Sequence, residues 1–341
     1  MTARTRYFVI VSLLMLGVGL GTGLVAYYVG LPPSPFAKHA GPEELEYVPG
    51  DAVVVAFANV QEIMHSDLRQ KLHQALPAEN GQAELKNLTG IDLETDVQRV
   101  VACLDPRAST TNPAGDGMVL VRGNFDETKI EALMRDHGGH VEDYKGKRLI
   151  VTEVPGTPSR SFALSFFEPG LVALGTTVLI REAVDVHDGG GNPAGGAQPA
   201  GGAQPVGGGQ SVIGNEEVMT LIHALDSGNN AWAVGRFDAL TSRAALPVNI
   251  SSRLPAITWF SAAVHVNGGV RGTLRAETRD ADAAKNLHDV VNGFIALGKL
   301  QAGSRPDIQL MMQSLQLQGD EKSVSLSFDV PAQVFDAVRR Q

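Results

Sequence analysis

Residues 52–58, Ala52-Val53-Val54-Val55-Ala56-Phe57-Ala58, form a short valine-rich run that follows the turn residues Pro49-Gly50-Asp51, and they read as a buried β-strand. Residues 60–76 then place Val60, Ile63, Met64, Leu68, Leu72 and Leu76 close to helical spacing, so the strand is followed by an amphipathic helix. The same opening returns far downstream. There Asn215 caps a helix through Leu225, and Ala231-Trp232-Ala233-Val234-Gly235-Arg236-Phe237 resembles the first strand.

Between these two openings, helical material continues to Leu88 and stops at Gly90, and strands at 99–104 and 118–122 flank a polar loop, 105–116. Asp126 caps a helix whose apolar stripe is Ile130, Leu133 and Met134. Strands near 148–154, 161–167 and 171–174 follow, and Thr176 or Thr177 opens a helix through Val186. After the second opening come strands at 256–266 and 270–278, a helix capped by Asp280, a hairpin of 313–318 and 323–330 around Gly319-Asp320, and a last helix from Pro331 to Val338.

The two halves share an offset. A shift of 154 carries Asp126 and Leu133 onto Asp280 and Leu287, and Leu174, Ala183 and Val184 onto Phe328, Ala337 and Val338. The expected fold class is therefore α+β, with two similar modules, 49–187 and 211–341, of mainly antiparallel sheet and helices packed on one face. Residues 188–210 separate them with three tandem hexads, Pro193–Gln198, Pro199–Gln204 and Pro205–Gln210. That composition buries too little apolar area to offset ordering entropy, so it reads as a disordered linker spanning roughly 25 Å.

Upstream of the modules, Phe8 to Gly30 is a run of 23 residues with no Asp, Glu, Lys, Arg or His. As a helix it reaches about 34 Å, enough to cross a hydrocarbon core of about 30 Å. Arg4 and Arg6 precede it, so the positive-inside bias puts residues 1–7 in the cytoplasm and the rest outside, with 31–48 as a stem. The location expected is a cytoplasmic membrane, crossed once, the alternative being a cleaved and secreted chain. Gly17 to Gly21 and Gly19 to Gly23 are small-xxx-small spacings that let two such helices self-associate.

Without Arg4 and Arg6, 26 Lys and Arg face 37 Asp and Glu, a net charge of −11 that argues against nucleic acid as a partner. The single cysteine, Cys103, lies in the apolar stretch 100–104 and reads as core. His137-Gly138-Gly139-His140 sits at a helix end where Gly138 is the C-cap, and it lacks a third ligand. His65 and His73 fit a polar helix face, and His187, between Asp185 and Asp188, fits the last turn of a helix through its dipole. No nucleophile elbow, H-E-x-x-H, Walker pattern or EF-hand loop occurs. Asn87-Leu88-Thr89 and Asn249-Ile250-Ser251 match short glycosylation sequons. No catalytic, cofactor or metal residue is assigned, and Trp232 and Trp259 are the contact residues to watch, although their strand positions also suit a core.

Pro49-Gly50-Asp51-Ala52 before the valine-rich strand, followed by Gly90-Ile91-Asp92-Leu93-Glu94-Thr95-Asp96-Val97, resembles membrane-anchored bacterial proteins of unknown function. The resemblance implies a single N-terminal span and a repeated α+β exterior, and it brings no catalytic residues. The functional expectation is a non-enzymatic binding or accessory component of the envelope, acting on another envelope protein. The alternatives are an envelope hydrolase with a dispersed site and a carrier of a small apolar ligand.

Overall fold

The computed structural model describes residues 41–75, 86–87, 89–105, 117–154, 160–189, 210–226, 228–241, 256–302 and 306–331. The apolar run 8–30, the connection 31–40, the loop after Asp105, the repeat tract from 190 to 209 and the expected helix after Pro331 lie outside them. Among the described residues no helix is long and apolar enough to cross a membrane.

The chain builds an α+β fold on one antiparallel sheet. Its strands are β1 (Val54–Ala58), β2 (Val97–Leu104), β3 (Gly117–Gly123), β4 (His140–Tyr144), β5 (Lys147–Val154), β6 (Arg160–Glu168), β7 (Leu171–Thr176), β8 (Ala231–Arg236), β9 (Ile257–Val266), β10 (Gly269–Thr278), β11 (Gln316–Asp320) and β12 (Ser323–Pro331). They lie in the order β11-β12-β10-β9-β8-β1-β2-β3-β7-β6-β5-β4. The two strand openings meet at the centre, with β1 beside β8 and Ala56 opposite Ala233. One sheet thus runs through both halves.

Helices cover both faces of this sheet at its centre, which corrects the expectation of helices on one face. The reason is in β1, where all five residues are buried, so each face needs a cover. On one face Val55, Phe57, Val101, Cys103, Leu120 and Trp232 pack under α4 (Thr177–Gly189), α5 (Glu216–Asp226) and the 3₁₀ turn Glu43–Tyr47. We call this the α4 face. On the other, Ala58, Val100, Ala102 and Val264 pack under α1 (Val60–Met64) and α2 (Asp67–Ala75). Ile150, Leu164 and Val172 on that side meet Ile130 of α3 (Glu127–Asp136). Ala276 and Val324 meet Ala284 and Leu287 of α7 (Ala281–Ala302), beside which lies α8 (Pro306–Ser314). The remaining short helix, α6 (Phe237–Thr241), follows β8.

The capping residues stand where the sequence puts them. Asp126, Asn215 and Asp280 accept hydrogen bonds from the amides of Lys129, Val218 and Ala283. Gly138 ends α3 with φ +91°, as a left-handed C-cap requires. Four features differ from expectation. The helix expected over 60–76 is broken, because Ser66 accepts from the Arg69 amide and starts α2 afresh. β4 is new, joined to β5 by Lys145-Gly146, both with positive φ as a type I′ turn demands. α8 occupies residues expected as the start of β11, so the hairpin turns at Glu321-Lys322 rather than at Gly319-Asp320. Finally, compact structure begins before Pro49: Glu44, Leu45, Tyr47 and Val48 of the expected stem are buried in the body.

Candidate functional site

The first polar feature is a buried ion network where the chain enters the body. Glu44 is fully buried, yet its Oε1 accepts from Arg122 Nε at 2.5 Å and faces Arg99 at 3.3 Å. Arg99 and Arg122 are cross-strand partners at the end where β2 begins and β3 closes. Arg122 also reaches Glu168 at 3.2 Å, and the Tyr47 hydroxyl donates to Glu168 at 2.8 Å. That hydrogen bond, with Arg122 behind it, holds the Glu168 carboxyl below its ordinary range, while burial and Glu168 push the Tyr47 hydroxyl up. Tyr47 also stacks on His187, ring centroids 4.2 Å apart and planes at 7°. This network clamps the incoming chain to one end of the sheet, which we call the stem end. It offers no exposed nucleophile, and its buried carboxylate lies between two arginines.

The second feature is a sheet face that, among the described residues, has no helix over it. α7 and α8 pack on β10, β11 and β12 from one side only. On the opposite side these strands present Arg271, Thr273, Arg275 and Glu277 of β10, Ser325, Ser327 and Asp329 of β12, and Gln316 and Gln318 of β11. Arg275 and Glu277 pair at 3.6 Å. At the inner margin of this face His265 is nearly buried, and burial, followed by repulsion from Arg271, pushes its pKa down to about 4. Glu62, at 3.9 Å and half exposed, is too far and too hydrated to reverse that. The ring is therefore neutral at pH 7.

Two clefts accompany these features. One, of about 440 Å³, is lined by Asp51, Glu182, Asn215, Glu216 and Ser211, whose hydroxyl has no imidazole among the lining residues. The other, of about 730 Å³, lies beside the clamp, between Arg122, Asn124, Phe125 and Pro169. Asp126 lines it too, but its carboxylate is engaged in capping α3. Among the described residues no group of three or more His, Cys, Asp or Glu is placed to hold a metal ion.

The residues singled out in the sequence are dispersed. His137 bonds the Leu133 carbonyl and His140 bonds Glu142, so the pair forms no joint site. Asp185 accepts from Tyr144 and pairs with Lys145. Cys103 is buried, and burial pushes its thiol up to about 12. Trp232 is wholly buried against Phe57, and Trp259 is half buried beside the same core, so neither is an exposed anchor. Sequence reasoning missed the clamp because Glu44, Arg99, Arg122 and Glu168 are far apart in the chain. The alternation of Ser323–Val330 was the available signal for the uncovered face.

No family model and no curated protein matches the chain. A solved structure, crystal form I of TP0453, superposes with a TM-score of 0.43 and 10% sequence identity, over 88% of this chain and 97% of that one. At that level the likeness is distant, and nothing functional is taken from it.

Proposed function

We propose that this is a membrane-tethered, non-enzymatic binding or accessory protein of the bacterial envelope, held by residues 8–30 and receiving a protein partner on the polar face of β10, β11 and β12. The observation that carries this reading is that face itself. It combines two arginines, two acids, three hydroxyls and two amides on one sheet, and among the described residues no helix packs over it. A flat, hydrogen-bonding surface backed by a packed helical layer suits a protein partner better than a small molecule, which needs a concave, largely apolar pocket.

The tether reading is supported by the clamp, which anchors the polypeptide arriving from residues 31–40 to the body through Glu44 and Tyr47. The reading of two duplicated modules is supported by matching order. Outward from β1 and β8, each half runs two further strands, a helix capped by Asp126 or Asp280, and a returning strand, β7 or β12, paired to β3 or β10.

A photo-crosslinking residue at Thr273 or Ser325, in native membranes, tests the proposal. The expected result is one discrete adduct with another envelope protein. No adduct from either position, together with turnover in a broad hydrolase screen, would overturn it in favour of the hydrolase.

A further inference from the structure

α7 changes character along its length. From Ala281 to Asp289 it carries Asp282, Lys285 and Asp289, whereas from Val290 to Ala302 its one charged residue is Lys299. In that second half Ile295 is buried against Met312, but Val290, Phe294, Leu297 and Leu300 stay in water at 46, 69, 55 and 78% exposure. Positions 290, 294 and 297 form one stripe, with 300 on its flank one turn on. Four large side chains so exposed leave on the order of 400 Å² of contiguous apolar surface, as large as the biggest patch on an ordinary monomer.

The direction of α7 says which end of the sheet this surface approaches. Its first turns lie over Ala276 and Val324, at the end of the sheet away from the clamp. Ile295 lies by Leu326, midway along β12, so the turns from Ala296 onward run toward the stem end. That is the end at which Glu44 and Tyr47 hold the incoming chain. Only residues 31–40 separate the apolar run from Gly41, and ten residues reach at most about 35 Å.

We infer that the second half of α7 rests on the bilayer that residues 8–30 span, its Phe294, Leu297 and Leu300 side chains entering the interface between head groups and acyl chains. This rests on the tether reading above. Lys299 suits such a contact, since its stem can lie along apolar surface while its ammonium stays among head groups. The net charge of −9 gives anionic lipid no attraction, so the contact is driven by apolar burial and does not need an acidic membrane. The body is thereby held stem end down at two points, the clamp and α7.

Full-length protein in phosphatidylcholine vesicles tests this, with an environment-sensitive dye on one added cysteine at a time and nitroxide-bearing lipid as quencher. Cys103, buried, does not compete for the label. F36C reports the tether, L300C the contact, and E321C, in the exposed hairpin turn at the other end of the sheet, is the control. Expected are quenching of F36C and L300C by about two-fold or more and almost none of E321C, with the L300C signal lost in F294S/L297S while the circular dichroism stays unchanged. Quenching of F36C alone would overturn the contact and leave the tether standing. Absence of quenching at both would overturn the tether and the contact with it. A blue-shifted but unquenched L300C that also cross-links to a second L300C would overturn the lipid contact in favour of a second copy of the chain.

Discussion

β1 and β12 sit in the same sheet and are built on opposite plans. β1 reads Val-Val-Ala-Phe-Ala and is buried on both sides, between α4 and α5 on one face and α1 and α2 on the other. β12 reads Ser-Val-Ser-Leu-Ser-Phe-Asp-Val-Pro, sends Val324 and Leu326 toward α7 and α8 and Phe328 and Val330 into the cluster under α1 and α2, and on its other side leaves Ser325, Ser327 and Asp329 with no helix over them among the described residues. A fully covered strand can only be scaffold. A half-covered strand has a surface left to use, which is why the candidate binding face lies in the second half and the most tightly packed core at the centre.

If that contrast is right, substitutions should grade from the centre outward. Trp232→Ala empties a fully buried site beside Phe57 at the β1–β8 junction and should cost about 3–5 kcal/mol in denaturant unfolding. A cost below about 1 kcal/mol would mean that the centre is not the shared core of both halves. Arg122→Ala leaves Glu44 buried with Arg99 as its remaining cation and should cost about 3 kcal/mol. A neutral outcome there would show that the entering chain is not clamped.

His265 marks the border between the covered and open regions, and its effect should appear as pH dependence. Its folded pKa of about 4 lies below the ordinary 6.5, so between those values the unfolded chain binds a proton that the folded chain does not. Stability should therefore fall, on the order of 2 kcal/mol, as pH drops from 6.5 to 4. His265→Asn should flatten that part of the profile. An unchanged profile would place the ring in water. At the open end, Thr273→Ala and Ser325→Ala should change stability by no more than about 0.5 kcal/mol, and a larger loss would mean that the face is covered after all.

The sequence made the α+β class, the antiparallel strands and three helix caps readable, because periodicity and cap chemistry are local. It gave no view of which strands meet. The pairing of β1 with β8 rests on contacts 177 residues apart in register, Ala56 to Ala233, with no short-range signal. β4 escaped because His140, Glu142 and Asp143 mask a strand pattern, their charge suiting an outer strand that must avoid further pairing. The clamp escaped for the reason that defeats most site prediction: Glu44 meets Arg122 only after the chain has folded. The open face was half legible, since the alternation in β12 announces one wet side but not that no described helix packs there.

The central claim, that the polar face of β10, β11 and β12 is where the envelope partner sits, is tested most directly by thiol labelling in intact membranes and after purification. T273C should be protected in membranes and reactive once purified, while E217C, exposed on α5, should react equally in both. Equal reactivity of T273C in the two states would contradict the claim.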